Sequence, residues 1–188
     1  MDFLYTIDVN VFYFINHTLS VKFLDKFFLI ITDVKNWYIT YIILWCIIFF
    51  KGGRKGKIAA IGAIFLIVIS DQVSSEIIKN LIARARPCHV LESVKLLVSC
   101  KSSYSFPSSH AVNNFAIAVY FLNIFPKYKW ILLTTAFLVA LSRPYIGIHY
   151  PSDIFAGALI GSAIGYLFFL LIRKIDVFFE KKAVENNN

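Results

Sequence analysis

The stretch IAAIGAIFLIVISDQVSSEIIKNLI, residues 58–82, decides the fold class. Its first twelve residues carry no charge and are apolar on every side, as a helix crossing lipid requires. It then turns polar through Ser70, Asp71, Gln72, Ser74, Ser75, Glu76, Lys79 and Asn80. Groups of this kind inside a span normally point into the bundle or a wet cavity. Asp71, Ser75 and Lys79 are spaced four apart and share one helical face. Counted from about Lys57 at 1.5 Å per residue, Asp71 lies roughly 21 Å into a core of roughly 30 Å, and Lys79 reaches the far interface at about 33 Å. Lys79 is therefore expected to meet the loops on that side. The acids are expected to be satisfied by one another or by neighbouring helices.

The rest of the chain extends the pattern. Of 188 residues 59% are hydrophobic and 17% aromatic, and the mean hydropathy is +0.70, well above a soluble domain. Apolar runs cover residues 23–31, 37–50, 58–82, 111–125, 130–141 and 154–172. The expected fold is all-α, an integral membrane bundle of six transmembrane helices, with the first span over residues 20–32. Residues 3–17 mix apolar positions with Asp8, Asn10, Asn16 and His17, which suits an amphipathic helix lying in the interface ahead of the bundle. A single domain over residues 1–182 is expected, with a disordered polar tail at 183–188. The start, Met1-Asp2-Phe3-Leu4, lacks the basic region of a secretory signal, so the N-terminus is expected to be retained.

Basic residues set the orientation. Four positive charges lie in Lys51-Gly52-Gly53-Arg54-Lys55-Gly56-Lys57, two more at Lys127 and Lys129, and others at Arg173, Lys174, Lys181 and Lys182. Short basic loops stay cytoplasmic. The opposite, outer face then receives residues 33–36, 84–107 and 143–153. This predicts a multi-pass protein of the inner (cytoplasmic) membrane whose polar clusters face the periplasm or exterior. The formal charge of +8 is accounted for by topology, and no aromatic-interleaved basic groove points to nucleic acid. Of three cysteines, Cys46 sits in an apolar run. Cys88 and Cys100 flank one outer loop, where either a disulfide worth about 3 kcal/mol or two free thiols fits the pattern.

Three outer clusters carry chemistry. Lys79 and Arg86-Pro87, seven residues on, offer a point charge beside a planar fork that matches phosphate oxygens. Ser105-Phe106-Pro107-Ser108-Ser109-His110 precedes an apolar run, so a helix should begin there with the free N–H groups of Ser109 and His110 facing outward, a setting for an anion. In Ser142-Arg143-Pro144-Tyr145-Ile146-Gly147-Ile148-His149-Tyr150-Pro151-Ser152-Asp153, Pro151 suits a first helical turn. Asp153, four residues after His149, can then hold one imidazole nitrogen and leave the other free to attack phosphorus. An N-cap, a snorkelling lysine and a stabilising His–Asp pair are the ordinary readings of each cluster alone. Their convergence on one membrane face favours a site. His17 and His89 have no array of acids or thiols at metal spacing, apart from Cys88 beside His89.

Together, Lys79-x6-Arg86-Pro87, Pro107-Ser108-Ser109-His110 and Ser142-Arg143-x5-His149-x3-Asp153 resemble the three signature motifs of the type 2 phosphatidic acid phosphatase family, which includes the vanadium haloperoxidases. The first and third match in full. The second is usually Pro-Ser-Gly-His, so Ser109 stands in the glycine position. The resemblance implies that His149 attacks phosphorus to form a phosphohistidine, that Asp153 orients it, and that His110 protonates the leaving oxygen. It implies that Lys79, Arg86, Ser108, Ser109 and Arg143 hold the phosphate without metal or other cofactor, and that the partner is a phosphorylated lipid in the bilayer. A non-hydrolytic phosphate or phospholipid transporter would instead place ionisable residues at mid-depth on several spans, and here only the third has them. A vanadate-dependent oxidase would be expected to be soluble.

Overall fold

The computed structural model describes residues 3–185, with side chains through residue 180. The expectations for Met1-Asp2 and for residues 186–188 lie outside these described residues. Every regular element is helical: α1 Phe3–Tyr13, α2 Lys22–Thr32, α3 Tyr38–Lys51, α4 Gly53–Gln72, α5 Lys79–Ile82, α6 Pro87–Val90, α7 Ser109–Ile124, α8 Lys129–Tyr145 and α9 Pro151–Glu185. Helix α9 thus runs into the segment expected to be a disordered tail. A π-helical segment, Val73–Ile78, joins α4 to α5 in one rod. The wider π turn lies in the polar half of the sequence stretch 58–82, and such insertions often accompany functional sites.

Three helical stretches are long and apolar enough to cross a bilayer by themselves: Val34–Lys51, Gly53–Val90 and Pro151–Glu180. Helices α7 and α8 are shorter, at 16 and 17 residues. The first of the six expected spans is not among the three. Helix α2 has 11 residues, about 16 Å against a core of roughly 30 Å. Both of its ends are tied to the same end of the bundle. Asp25 accepts from Lys95 Nζ at 2.6 Å and from Tyr145 Oη at 2.7 Å, while the Thr32 hydroxyl accepts from Ser142 Oγ at 2.9 Å and from Arg143. The apolar run misled because Asp25 and Lys26 interrupt it and a cap at Asp33 ends it.

Helix α1 is turned inside out relative to a soluble surface helix. Phe3, Leu4, Ile7, Val11 and Phe14 are exposed, whereas Asp8 and Phe12 are buried against the protein. Helix α1 therefore turns apolar side chains outward and makes a polar contact inward.

Glycine on α9 sets the tightest packing. Gly157, Gly161 and Gly165 recur every four residues, and a Cβ at Gly161 or Gly165 would lie 2.2 Å from the carbonyl oxygen of Val112 or Ala116 on α7. Small residues at this spacing let two backbones touch where lipid supplies no hydrophobic drive. Gly157 is the member nearest the outer end, with its missing Cβ 3.0 Å from the Ser108 carbonyl oxygen. Behind this seam, Ala59, Ala63 and Leu66 of α4 pack on Ala116, Tyr120 and Ile124 of α7. At the opposite end of the bundle Arg54 pairs with Asp176 and Glu180 of α9.

Replacing Gly161 by valine should force α7 and α9 apart and cost about 1–3 kcal/mol by overpacking. In detergent the unfolding midpoint of Gly161→Val should fall clearly, while Ala163→Leu, two residues on and exposed, leaves it near the parent. Equal midpoints for the parent and Gly161→Val would show that the seam is not tight.

Candidate active site

The α7–α9 seam brings two helix starts side by side. Helix α7 begins at Ser109 with Ser108 as N-cap, and α9 begins at Pro151. The Ser108 N–H donates to the Asp153 carbonyl oxygen at 3.2 Å, which locks the two starts together. The Ser108 hydroxyl is not used as a cap. It is buried with no hydrogen-bond partner, so the ordinary N-cap interpretation fails here. Beside it the first-turn N–H groups of Ser109 and His110 have no acceptor within their own helix. Ser109, in the position expected for glycine, lies with its hydroxyl 3.0 Å from that of Ser75 on the π-helical segment. The serine side chain is therefore turned onto the neighbouring rod.

His149 precedes α9 in the irregular link from α8, and Asp153 occupies the first turn of α9. Both are buried, at 2% and 0% exposure. Asp153 Oδ2 accepts from the Tyr150 N–H at 2.9 Å, an acid three residues into a helix satisfying its N-cap. The same oxygen accepts from Ser105 Oγ at 2.5 Å and lies 3.4 Å from His149 Nδ1. On the other side of the ring, Arg86 Nη1 is 3.1 Å from Nε2. Guanidinium can only donate, so Nε2 must be the unprotonated nitrogen and Nδ1 carries the proton toward Asp153. The lone pair of Nε2 faces the cations. Burial pushes the His149 pKa down to about 3, outweighing the raising effect of the Asp153 carboxylate, and Arg86 and Arg143 act in the same direction as burial.

The cations are the other half of the site. Lys79, Arg86 and Arg143 are 7%, 2% and 6% exposed. Among the described residues none of the three has a carboxylate ion-pair partner. Arg86 is held by neutral oxygens, Ser103 O at 2.7 Å and Ile148 O at 3.0 Å. Arg143 donates to Thr32, and its Nε is buried without a partner. Lys79 and His110 are close enough to Arg143 to interact electrostatically, and His110 interacts with His149 as well. Buried, unpaired positive charge of this density is costly unless an anion completes it. The structure joins residues 86, 149, 153 and 108 through direct contacts and brings Lys79, His110 and Arg143 within electrostatic reach of one another.

The sequence matches the PAP2 superfamily over residues 60–176, well over half of the chain. The chain belongs to the PAP2 superfamily. It is 31% identical to a lipid A 4'-phosphatase of Porphyromonas gingivalis, over 88% of this chain and 73% of that one. It is also 31% identical to an undecaprenyl-diphosphatase of Sulfolobus acidocaldarius, over 85% of this chain and 76% of that protein. Its fold is similar to that of the crystal structure of Aquifex aeolicus LpxE, with a TM-score of 0.68 and 31% identity over 86% and 94% of the two chains. Helices long and apolar enough to cross a bilayer, together with its similarity to lipid phosphatases of this superfamily, make it a multi-pass membrane protein.

In this PAP2 protein several residues that contact the site were not legible in the sequence. Arg84 belongs to none of the three motifs, although it reaches Asp153 Oδ1 at 2.8 Å and Asp8 Oδ2 at 2.7 Å. Asp8 comes from α1, and nothing in the local pattern of residues 3–17 points to a partner 76 positions away. Thr32, expected inside a span, instead accepts from Arg143. Deeper in the bundle, Asp71 accepts from Asn113 at 2.9 Å, so the acid on the rod is satisfied by a neighbouring helix. Cys88 and Cys100 form a disulfide, with Cα atoms 6.3 Å apart, which closes the loop of residues 88–100 directly ahead of Lys101 and Ser103. Cys88, His89 and Cys100 are near enough together to suggest a metal site, but the two sulfurs are bonded to each other.

The His149 tautomer and burial give a pH prediction. A folded pKa below the unfolded value of about 6.5 means that acid favours the unfolded chain, so this residue's contribution to stability is present above pH about 6.5 and declines below it. In histidine-labelled protein the His149 ring should show no protonation between about pH 5 and 8 by nuclear magnetic resonance. A midpoint at or above 6.5 would contradict the arrangement.

Proposed function

We propose that this protein is a metal-independent lipid phosphatase that removes a phosphate from a lipid headgroup through a phosphohistidine on His149. The observation that carries the reading is the pairing of three buried, carboxylate-free cations with an imidazole whose Nε2 lone pair faces them. A phosphoryl group there would take the Arg86 N–H that now lies on Nε2, freeing the nitrogen. His149 Nε2 then attacks phosphorus, and Asp153 stabilises the positive charge that develops on the ring. The bond from phosphorus to the lipid oxygen breaks, and His110, protonated once the bound phosphoryl anion offsets its burial and the cations around it, gives that oxygen its proton. Water, deprotonated by His110, attacks the phosphohistidine, the N–P bond breaks and phosphate leaves. Lys79, Arg86, Arg143, the Ser108 hydroxyl and the N–H groups at the start of α7 hold the equatorial oxygens, where most of the stabilisation in phosphoryl transfer resides.

The substrate class follows from surroundings and similarity. The site lies at a bundle end opposite the basic segment at 51–57, and the positive-inside rule supports the reading that it faces the periplasm or exterior from the inner membrane. Helix α1 presents its apolar stripe at the same end, beside any lipid whose headgroup enters. Relatives named for lipid A and undecaprenyl diphosphate favour a phosphomonoester or pyrophosphate on an envelope lipid, with phosphatidylglycerophosphate and phosphatidic acid as further members of the class. The remaining alternative, a phosphate-binding transporter, is disfavoured because the one acid at mid-depth of the rod, Asp71, is used in a helix–helix hydrogen bond.

Phosphate release from a panel of these lipids in detergent should be reduced by at least about 10⁴-fold in His149→Ala. Asp153→Asn should lose less than His149→Ala, because it disturbs the ring's orientation rather than removing the nucleophile. Turnover that persists in His149→Ala, or that requires added divalent metal after chelation, would overturn the mechanism.

A further inference from the structure

Helix α1 does more than cover the outer end of the bundle. Asp8 Oδ1 accepts the Ser152 N–H at 2.8 Å, and Asp8 Oδ2 accepts from Arg84 Nη2 at 2.7 Å and from the Ser152 hydroxyl. Arg84 Nη1 in turn donates to Asp153 Oδ1 at 2.8 Å and to Ser152 Oγ at 2.7 Å. The guanidinium lies over the Tyr150 ring, 3.9 Å from its centroid, and Phe12 of α1 packs against that ring at 5.9 Å. One fork therefore joins two carboxylates 145 residues apart in sequence, 8 and 153, and an aromatic face fixes its plane. Asp8 is 8% exposed, so this is a shielded ion pair rather than a surface one.

We propose that Asp8 and Arg84 form a positioning pair for the reaction: Asp8 holds Arg84, and Arg84 holds the Oδ1 edge of Asp153 so that Oδ2 stays against His149. Neither residue touches the transferred phosphoryl group. A lone Arg84 would have a choice of acceptors, including a substrate phosphate, since it is a cation near a pocket built of cations. Bound by Asp8, its charge is matched by two acids, and it is kept out of phosphate binding. This separates it from Lys79, Arg86 and Arg143, which have no such partner. The N-terminal helix thereby becomes part of the catalytic apparatus, although none of the three sequence motifs includes it.

The inference rests on the hydrolytic reading, and the two fail differently. In purified full-length protein, with one lipid phosphate as substrate, Asp8→Asn should lower kcat by about 10–100-fold and leave KM within about twofold, since orientation and not binding is lost. Asp8→Glu should recover part of the loss, and the unfolding midpoint of Asp8→Asn should explain none of it at the assay temperature. Because Asp8 acts through Arg84, the double variant Asp8→Asn/Arg84→Gln should be no slower than Arg84→Gln alone. An active parent with an unimpaired Asp8→Asn, a change confined to KM, or losses that multiply in the double variant would each overturn the positioning pair while leaving hydrolysis in place. An inactive parent, or an active His149→Ala, would overturn hydrolysis itself.

Discussion

A fully buried carboxylate, that of Asp153, takes hydrogen bonds from a guanidinium, a hydroxyl and its own helix cap, and sits against the imidazole. Water would otherwise solvate it, and its desolvation has to be offset by these groups. They come from the loop after α5, the loop before α7 and the link after α8. The carboxylate can stay ionised only if all three segments are in place. Its backbone oxygen adds the start of α7 through Ser108. The outer loops are thus ordered by one charge, and the imidazole that depends on it is given a definite tautomer.

The cations pose the opposite problem. Positive groups buried without acids destabilise a fold, and a structure selected for stability alone would neutralise them. Here one arginine of the loop after α5, Arg84, is neutralised by two acids, while Arg86, two residues on, is given only neutral oxygens. The difference separates structure from function within one short segment. The cost of leaving Lys79, Arg86 and Arg143 unmatched is supported by the rigid seam beneath them, where Gly161 and Gly165 let α9 rest directly on the backbone of α7. Two helix starts held at backbone contact cannot spread to relieve the repulsion.

A membrane setting shapes the rest. The apolar residues Phe3, Leu4, Ile7 and Val11 of α1 face outward, whereas α2, too short to cross, packs Leu24, Phe27, Phe28 and Ile31 against Tyr145 and Ile146. Asp8 of α1, Asn16 of the segment 14–18 that follows it, and Asp25 and Thr32 of α2 all send polar side chains into the bundle end that carries the candidate site.

The sequence alone determined the membrane class and the family, and it marked the polar clusters around residues 79–86, 105–110 and 142–153 that the fold brings to one end of the bundle. These depend on local composition, charge bias and fixed spacing, which a chain displays before it folds. Pro151 at the start of a helix, and Ser108 and Ser109 at the start of another, were legible for the same reason. Tertiary structure alone decided that both ends of the helix at residues 22–32 are tied to one end of the bundle, that Cys88 and Cys100 are joined, and that Arg84 and Asp8 stand behind Asp153. The first depended on where both ends of an 11-residue helix find hydrogen bonds. The others depend on groups far apart in the chain meeting across packed helices, and a hydrogen bond between residues 8 and 84 leaves no mark on the sequence near either one.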